Sequence, residues 1–201
     1  MEKAFLFGIA TERTGDNGKP ERTTGGIIPA IKTYGTVANY ATSSTYTGDT
    51  WIESGDQWLD DQLEIIFRYG SMDKLAFCGS TVISALNKLV KAKGVYEMTQ
   101  AKESYGIAVT KWITPFGTIS LINHPLFSYE ATLRDTCVIM EPKDIKTKTI
   151  QDTMFKNDES YKKGGWTTVD GINEEFLSEL GLEWHHPIGW GYLRGFGSTA
   201  A

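Results

Sequence analysis

The chain is poor in the residues on which most site chemistry draws: 201 residues contain two cysteines and three histidines. Two cysteines do not make a disulfide framework, which a secreted scaffold would build from more bridges. Cys78 and Cys137, each inside an apolar run, are therefore expected as buried free thiols in a reducing compartment. Three histidines leave little for a metal centre. His185 and His186 are adjacent and close to Glu183, but neighbours on a strand point to opposite faces, so the two imidazoles share an ion only if Pro187 bends the chain. His124, just ahead of Pro125, is expected as a hydrogen-bonded loop histidine.

No apolar run approaches a membrane span, and Ala4–Phe7, preceded by Glu2, is too short for a signal-peptide core. A soluble protein, intracellular when made, is the expectation. Basic excess is missing as well: 20 Lys and Arg face 25 Asp and Glu, a formal charge of −5, which argues against a phosphate-gripping surface as the main function. The small lysine group at Lys143, Lys146 and Lys148 reads as a solvated strand edge. There is no Gly-x-Ser-x-Gly elbow, and the glycines from Gly189 to Gly195 lack phosphate-loop spacing and a following helix. Asp60, Asp61, Glu64, Glu174 and Glu175 read as solvated surface. No catalytic, cofactor-binding or metal residue is assigned.

What the chain does contain is a hairpin. From Tyr105 to Leu126 two alternating apolar segments meet at Thr114-Pro-Phe-Gly117, with Lys111 and Trp112 on opposite faces. Pro115 presets a turn dihedral, and Gly117 is expected to supply a positive φ. Further predictions follow from periodicity. Met1–Gly8 reads as the end of a helix, and Thr11–Thr24 as a protruding hairpin or loop turning at Asp16-Asn17-Gly18. Thr33–Gly55 is expected to be loop or irregular strand. A helix from the cap Asp56 to Tyr69 follows, then a strand over Leu75–Cys78 and a helix from Ser80 to Gly94. Val95–Glu103 reads as a polar connection, Leu133–Glu141 and Ile145–Ile150 as strands, Asn157–Gly165 as the most mobile stretch, and Phe176–Phe196 as strands. Of six tryptophans, Trp58 belongs to the core. Trp51, Trp166 and Trp190 lie among glycines and polar residues, where core and subunit interface are equally open readings.

Several of these pieces occur together in one family. Phe5-Leu-Phe-Gly8, Thr24-Gly-Gly-Ile27, Phe77-Cys-Gly79, Val109-Thr-Lys-Trp-Ile-Thr-Pro-Phe-Gly117, Asn123-His-Pro125 and Glu179-Leu-Gly-Leu-Glu183, followed by His186-Pro187, give a chain that resembles tailed-phage major capsid proteins. The resemblance implies an α+β fold of the Hong Kong 97 type, N-terminally truncated and lacking the N-arm, the extended loop and most of the spine helix. It implies a peripheral-domain part over 1–73, an axial domain over 74–190 and a return to the peripheral domain over 191–201. It also implies a non-enzymatic shell protein that is made in the host cytoplasm and resides in the virion. Such a protein assembles with copies of itself into pentamers and hexamers around phage DNA. Scaffold, portal or decoration proteins are further candidate partners, with no cofactor, no metal, no sequence-specific nucleic-acid binding and no membrane. The alternatives weighed are an encapsulin-like nanocompartment shell, a metal-dependent hydrolase using His185, His186 and Glu183, and a carbohydrate-binding module using exposed tryptophans.

Overall fold

The computed structural model describes residues 2–14, 20–93, 98–104, 107–156 and 175–201. It divides into two compact units, Met1–Ile145 with Trp184–Ala201, and Lys146–Glu183. In chain order the helices are α1 (Glu2–Phe7), α2 (Ile27–Tyr34), α3 (Trp51–Phe67), α4 (Ser80–Lys93) and α5 (Pro125–Tyr129). The strands are β1 (Glu12–Thr14), β2 (Pro20–Arg22), β3 (Thr36–Asn39), β4 (Asp73–Cys78), β5 (Met98–Ser104), β6 (Ile107–Thr114), β7 (Gly117–Asn123), β8 (Cys137–Met140), β9 (Ile145–Lys156), β10 (Glu175–Trp184) and β11 (Gly191–Arg194).

The first unit is organised by a seven-stranded mixed sheet in the order β3-β11-β8-β4-β7-β6-β5. Strand β4 runs parallel to β7 and antiparallel to β8, so it is paired on both edges. As an inner strand it has Ala76 and Cys78 buried on one face and Leu75 and Phe77 half-buried on the other, which accounts for the near-continuous apolar character of Leu75–Cys78. Strand β11 returns from late in the chain to pair parallel with β3 and antiparallel with β8.

One sheet face is covered by α3 and α4. Ala76, Cys78, Trp112, Ile119, Leu121, Cys137, Ile139 and Leu193 point to it, and Trp58, Leu59, Leu63, Ile66, Val82, Leu86 and Leu89 fill the space above. The opposite face, with Phe77, Val138, Met140 and Tyr192, meets α2 and α5: the Lys32 ammonium lies 5.0 Å over the Tyr192 ring, and the Phe77 and His124 rings are 4.9 Å apart. Helix α1, too short to persist alone, is held by Phe7 edge-on to Phe127 at 6.0 Å and by its contacts with α2.

Several expectations change. Helix α3 starts at Trp51 and is capped by Thr50, whose side chain and Glu53 form a reciprocal capping box; Asp56 lies one turn inside. Its polar beginning conceals it, because Ser54 and Gly55 read as loop. Gly55 is small for a packing reason, since a Cβ there would come within 2.8 Å of the Trp51 ring. The expected irregular stretch Thr33–Gly55 also contains the end of α2, strand β3 and two short 3-10 turns. The expected connection Val95–Glu103 contains β5, which pairs with β6 as a polar edge strand. Asn157–Gly165, Trp166, Gly94 and the Asp16-Asn17-Gly18 turn lie outside the described residues.

The β6–β7 hairpin is confirmed, with Thr114 opposite Gly117 and a two-residue loop between them. Trp112 is buried and Lys111 exposed, as alternation requires. Gly117 is not among the positive-φ glycines. It is needed instead for close approach, since a Cβ would sit 2.3 Å from the Met72 carbonyl oxygen and 2.6 Å from the Phe67 ring. The loop closes through Thr114, whose hydroxyl donates to the Gly117 carbonyl at 2.8 Å and accepts from the Gly117 N–H at 3.2 Å.

Candidate functional site

Two of the three loop tryptophans are core residues. Trp51 packs with Tyr40, Trp58 and Phe196 at ring separations between 5.1 and 6.1 Å, and its indole N–H donates to the Ala85 carbonyl at 3.1 Å. The Tyr40 hydroxyl is 2.9 Å from the Thr50 carbonyl and 2.9 Å from the Ser54 hydroxyl. Trp190 is fully buried. The interface reading of Trp51 and Trp190 is therefore set aside, because each ring is already enclosed by its own chain.

His185 and His186 are not gathered with acids into a metal site among the described residues. His186 adopts a left-handed conformation (φ 48°, ψ 49°), so the chain does turn ahead of Pro187. His185 and His186 nevertheless remain exposed, the His185 N–H donates to the Asp144 carbonyl at 2.9 Å, and Glu183 pairs with Lys148 at 3.1 Å. Among the described residues, no three His, Cys, Asp or Glu side chains are placed to hold one metal ion. His124 is buried as expected of an anchored loop residue, with Nε2 3.0 Å from Glu2 Oε1. The Gly189–Gly195 segment is a 3-10 turn followed by β11, so no helix N-terminus follows its glycines.

One shallow concavity of about 250 Å³ lies along Asp73, Lys74, Leu75, Ser120, Glu141, Pro142 and Lys143. Lys74 is a buried lysine whose charge ties off the end of α3: Nζ donates to the Tyr69 carbonyl at 3.1 Å, lies 5.5 Å over the Phe67 ring and sits 3.9 Å from Glu141 Oε2. Glu141 Oε2 also accepts the Ser71 N–H at 2.9 Å. Burial pulls the Lys74 ammonium below its ordinary range, with Glu141 and Asp144 opposing it. The arrangement satisfies carbonyl and amide groups that a helix end leaves open, and no nucleophile adjoins it. Two carboxylates of α3 are likewise engaged structurally: Asp61 accepts the Tyr46 hydroxyl at 2.5 Å, which with burial pushes that phenol up to about 12, and Glu64 pairs with Arg68 at 2.9 Å.

The other surfaces of note among the described residues are sheet edges and exposed apolar side chains. Strands β3 and β5 are the outer members of the large sheet, and β9 and β10 form a separate two-stranded sheet. Ile150 is 88 % exposed and Phe176 76 %. Neither stands out in the sequence, because each lies among other large apolar residues in a strand of mixed composition.

The comparison with known families decides the class. The family model described as SU10 major capsid protein matches residues 1–196. This chain belongs to the SU10 major capsid protein family. A relative named "Major capsid protein", from Pseudomonas phage PaMx41, is 25 % identical over 207 aligned positions, which cover 97 % of this chain and 49 % of the relative. The chain thus spans about half the length of the curated relative it matches. Among the described residues the ionisable groups of the concavity, Lys74 and Glu141, are engaged at the end of α3. Among those residues, too, no helix is long and apolar enough to cross a membrane.

Proposed function

We propose that this chain is the shell-building part of a phage major capsid protein, which in full-length form assembles with copies of itself into the pentamers and hexamers of an icosahedral shell around phage DNA. The observation that carries this reading is the family match across residues 1–196. The fold supports it, because a mixed sheet with helices on both faces leaves outer strands and exposed apolar side chains for symmetric contacts. We further propose the Hong Kong 97-type division of labour, with residues 1–73 and 191–201 in the peripheral part and 74–190 in the axial part. The return of β11 to pair with β3 is consistent with the end of the chain rejoining its beginning. The role is structural and non-enzymatic, and its place is the virion.

Electron microscopy of the expressed full-length protein tests the reading. Closed particles of uniform diameter are expected; a monodisperse monomer at all concentrations and salt conditions overturns it.

A further inference from the structure

The β9–β10 ribbon is built like a sheet that is missing its neighbours. Its strands are twelve and ten residues long, and among the described residues they pair only with each other, each leaving one edge unpaired among those residues. A lone two-stranded ribbon is marginal in water, and long open edges invite another strand. Two cross-strand contacts define its register: Lys148 Nζ lies 3.1 Å from Glu183, and the Phe155 and Phe176 rings are 5.4 Å apart. Both fit one antiparallel alignment, which sets Gly181 opposite Ile150 and Glu179 opposite Asp152. Ile150 therefore has no side chain across from it, and Asp152 and Glu179 are like charges face to face, an arrangement that is unfavourable within one ribbon. Phe155 and Phe176 touch each other yet stay 48 % and 76 % exposed.

Charge identifies the occupant of these edges. Strand β9 carries Lys146, Lys148 and Lys156 against a single acid, Asp152. Strand β10 carries Glu175, Glu179 and Glu183 and no basic residue. Pairing two copies edge to like edge would set lysine strands or glutamate strands side by side. Pairing β9 of one copy with β10 of the next sets opposite charges together and repeats the Lys148–Glu183 type of contact already present inside each ribbon.

We propose that the β9–β10 ribbon is a self-association strand pair, in which β9 of one copy adds edge-to-edge to β10 of the next. The contact is heterologous, so successive copies close into a ring if their rotation is that of a pentamer or hexamer. Ile150 then has a neighbouring strand beside it, and Glu179 gains a lysine strand within reach. The proposal rests on the shell reading above and names the surface through which that assembly would close.

The test uses the full-length protein and a charge swap. Reversing β10 alone (Glu179→Lys with Glu183→Lys) places basic strands against basic strands, and particle yield is expected to fall roughly tenfold or more. Adding Lys146→Glu and Lys148→Glu restores complementarity both within the ribbon and between copies, and is expected to recover particles. Hydrogen exchange supplies a readout independent of these variants: alternate amides of β9 and β10, those turned away from the partner strand, should be protected in wild-type particles and exchange freely in the unassembled chain. Wild-type particles in which those amides exchange as in free chain, or a β10 reversal that assembles normally, overturn the ribbon contact while leaving the shell reading intact. A wild-type protein that never forms particles removes both.

Discussion

Cys78 and Cys137 stand directly opposite each other on the antiparallel strands β4 and β8, with their sulfurs 3.5 Å apart. The adjoining Gly79 N–H donates to the Thr136 carbonyl at 3.0 Å, so the cysteines fall at a position between hydrogen-bonded pairs, where facing side chains approach most closely. Both are free thiols in the interior. The Cys137 thiol and burial together push the Cys78 thiol well above its usual range, which suppresses the thiolate that reacts. Thiol-specific reagents are therefore expected to leave both cysteines unmodified in the native chain and to label two per chain in denaturant. Rapid labelling of either without unfolding would show that the β4–β8 core opens locally.

The aromatic cluster offers a second measurement. Trp51 is 3 % exposed and touches Tyr40, Trp58 and Phe196, so Trp51→Ala removes a large buried volume and is expected to cost about 3–5 kcal/mol in urea unfolding. Tyr40→Phe keeps the ring but deletes the hydroxyl that reaches the Thr50 carbonyl and Ser54, and should cost about 1–2 kcal/mol. If Trp51→Ala leaves stability unchanged while altering self-association, Trp51 is an interface residue after all.

The buried pair at the end of α3 predicts non-additivity. Glu141→Ala strands the Lys74 ammonium, which has no exposed side-chain surface, and frees the Ser71 N–H; a loss of about 3 kcal/mol is expected. Lys74→Met in the same chain removes the stranded charge, so the double variant should be less destabilised than the sum of the single ones, as a double-mutant cycle in urea would read. Additive losses would show that the two groups do not interact.

What the sequence made legible is the structure whose signals are local. Trp112, Pro115 and Gly117 sit in a strand-turn-strand pattern that needs no distant partner to be recognised, and the apolar run Leu75–Cys78 marks a strand paired on both edges. Thr50, Trp51 and Gly55 were hidden because a polar capping box and a glycine under an indole ring look like loop until the ring's position is known. Strand β5 is strand by virtue of its pairing with β6, a non-local cause that its polar composition does not announce. Trp190 is core because it leads into β11, which returns to pair between β3 and β8. The unmatched ribbon edges become visible only once Gly181 is seen across from Ile150.

His124 gives a pH dependence whose sign follows from its surroundings. The ring lies against Phe77 and Phe127, its Nδ1 is buried with no hydrogen-bond partner among the described residues, and Nε2 meets Glu2. Burial lowers its proton affinity below the ordinary value of 6.5, and Glu2 opposes this only in part. A protonated ring would also carry a second N–H with nothing to accept it. The unfolded chain therefore binds this proton more readily than the folded one. The contribution of His124 to stability is full above about pH 6.5 and declines as pH falls from there toward the lower folded-state value. Urea midpoints measured from pH 7.5 down to 5.5 should fall, and His124→Gln should flatten that slope. Glu2→Gln, by removing the opposing carboxylate, should steepen it; an unchanged slope in both variants would mean that another group controls stability in this range.

Gly117 separates two reasons for a glycine. At Gly48 the backbone has φ +89° and nothing lies within 4 Å of an added Cβ, so Gly48→Ala is expected to cost about 1–2 kcal/mol from backbone strain alone. At Gly117 the strain is absent, but an added methyl would press on the Met72 carbonyl oxygen and the Phe67 ring, on the side of the hairpin that faces α3 and the start of β4. Backbone cannot move aside as a flexible side chain can, so Gly117→Ala should cost about 1–3 kcal/mol or more by overpacking. Phe67→Leu can relieve only the ring half of that clash, which gives the experiment its discrimination. Partial recovery in the Gly117→Ala/Phe67→Leu double variant locates part of the cost in side-chain packing. No recovery assigns it to the Met72 carbonyl, while full recovery would show that the close backbone approach at this corner is not what selects glycine.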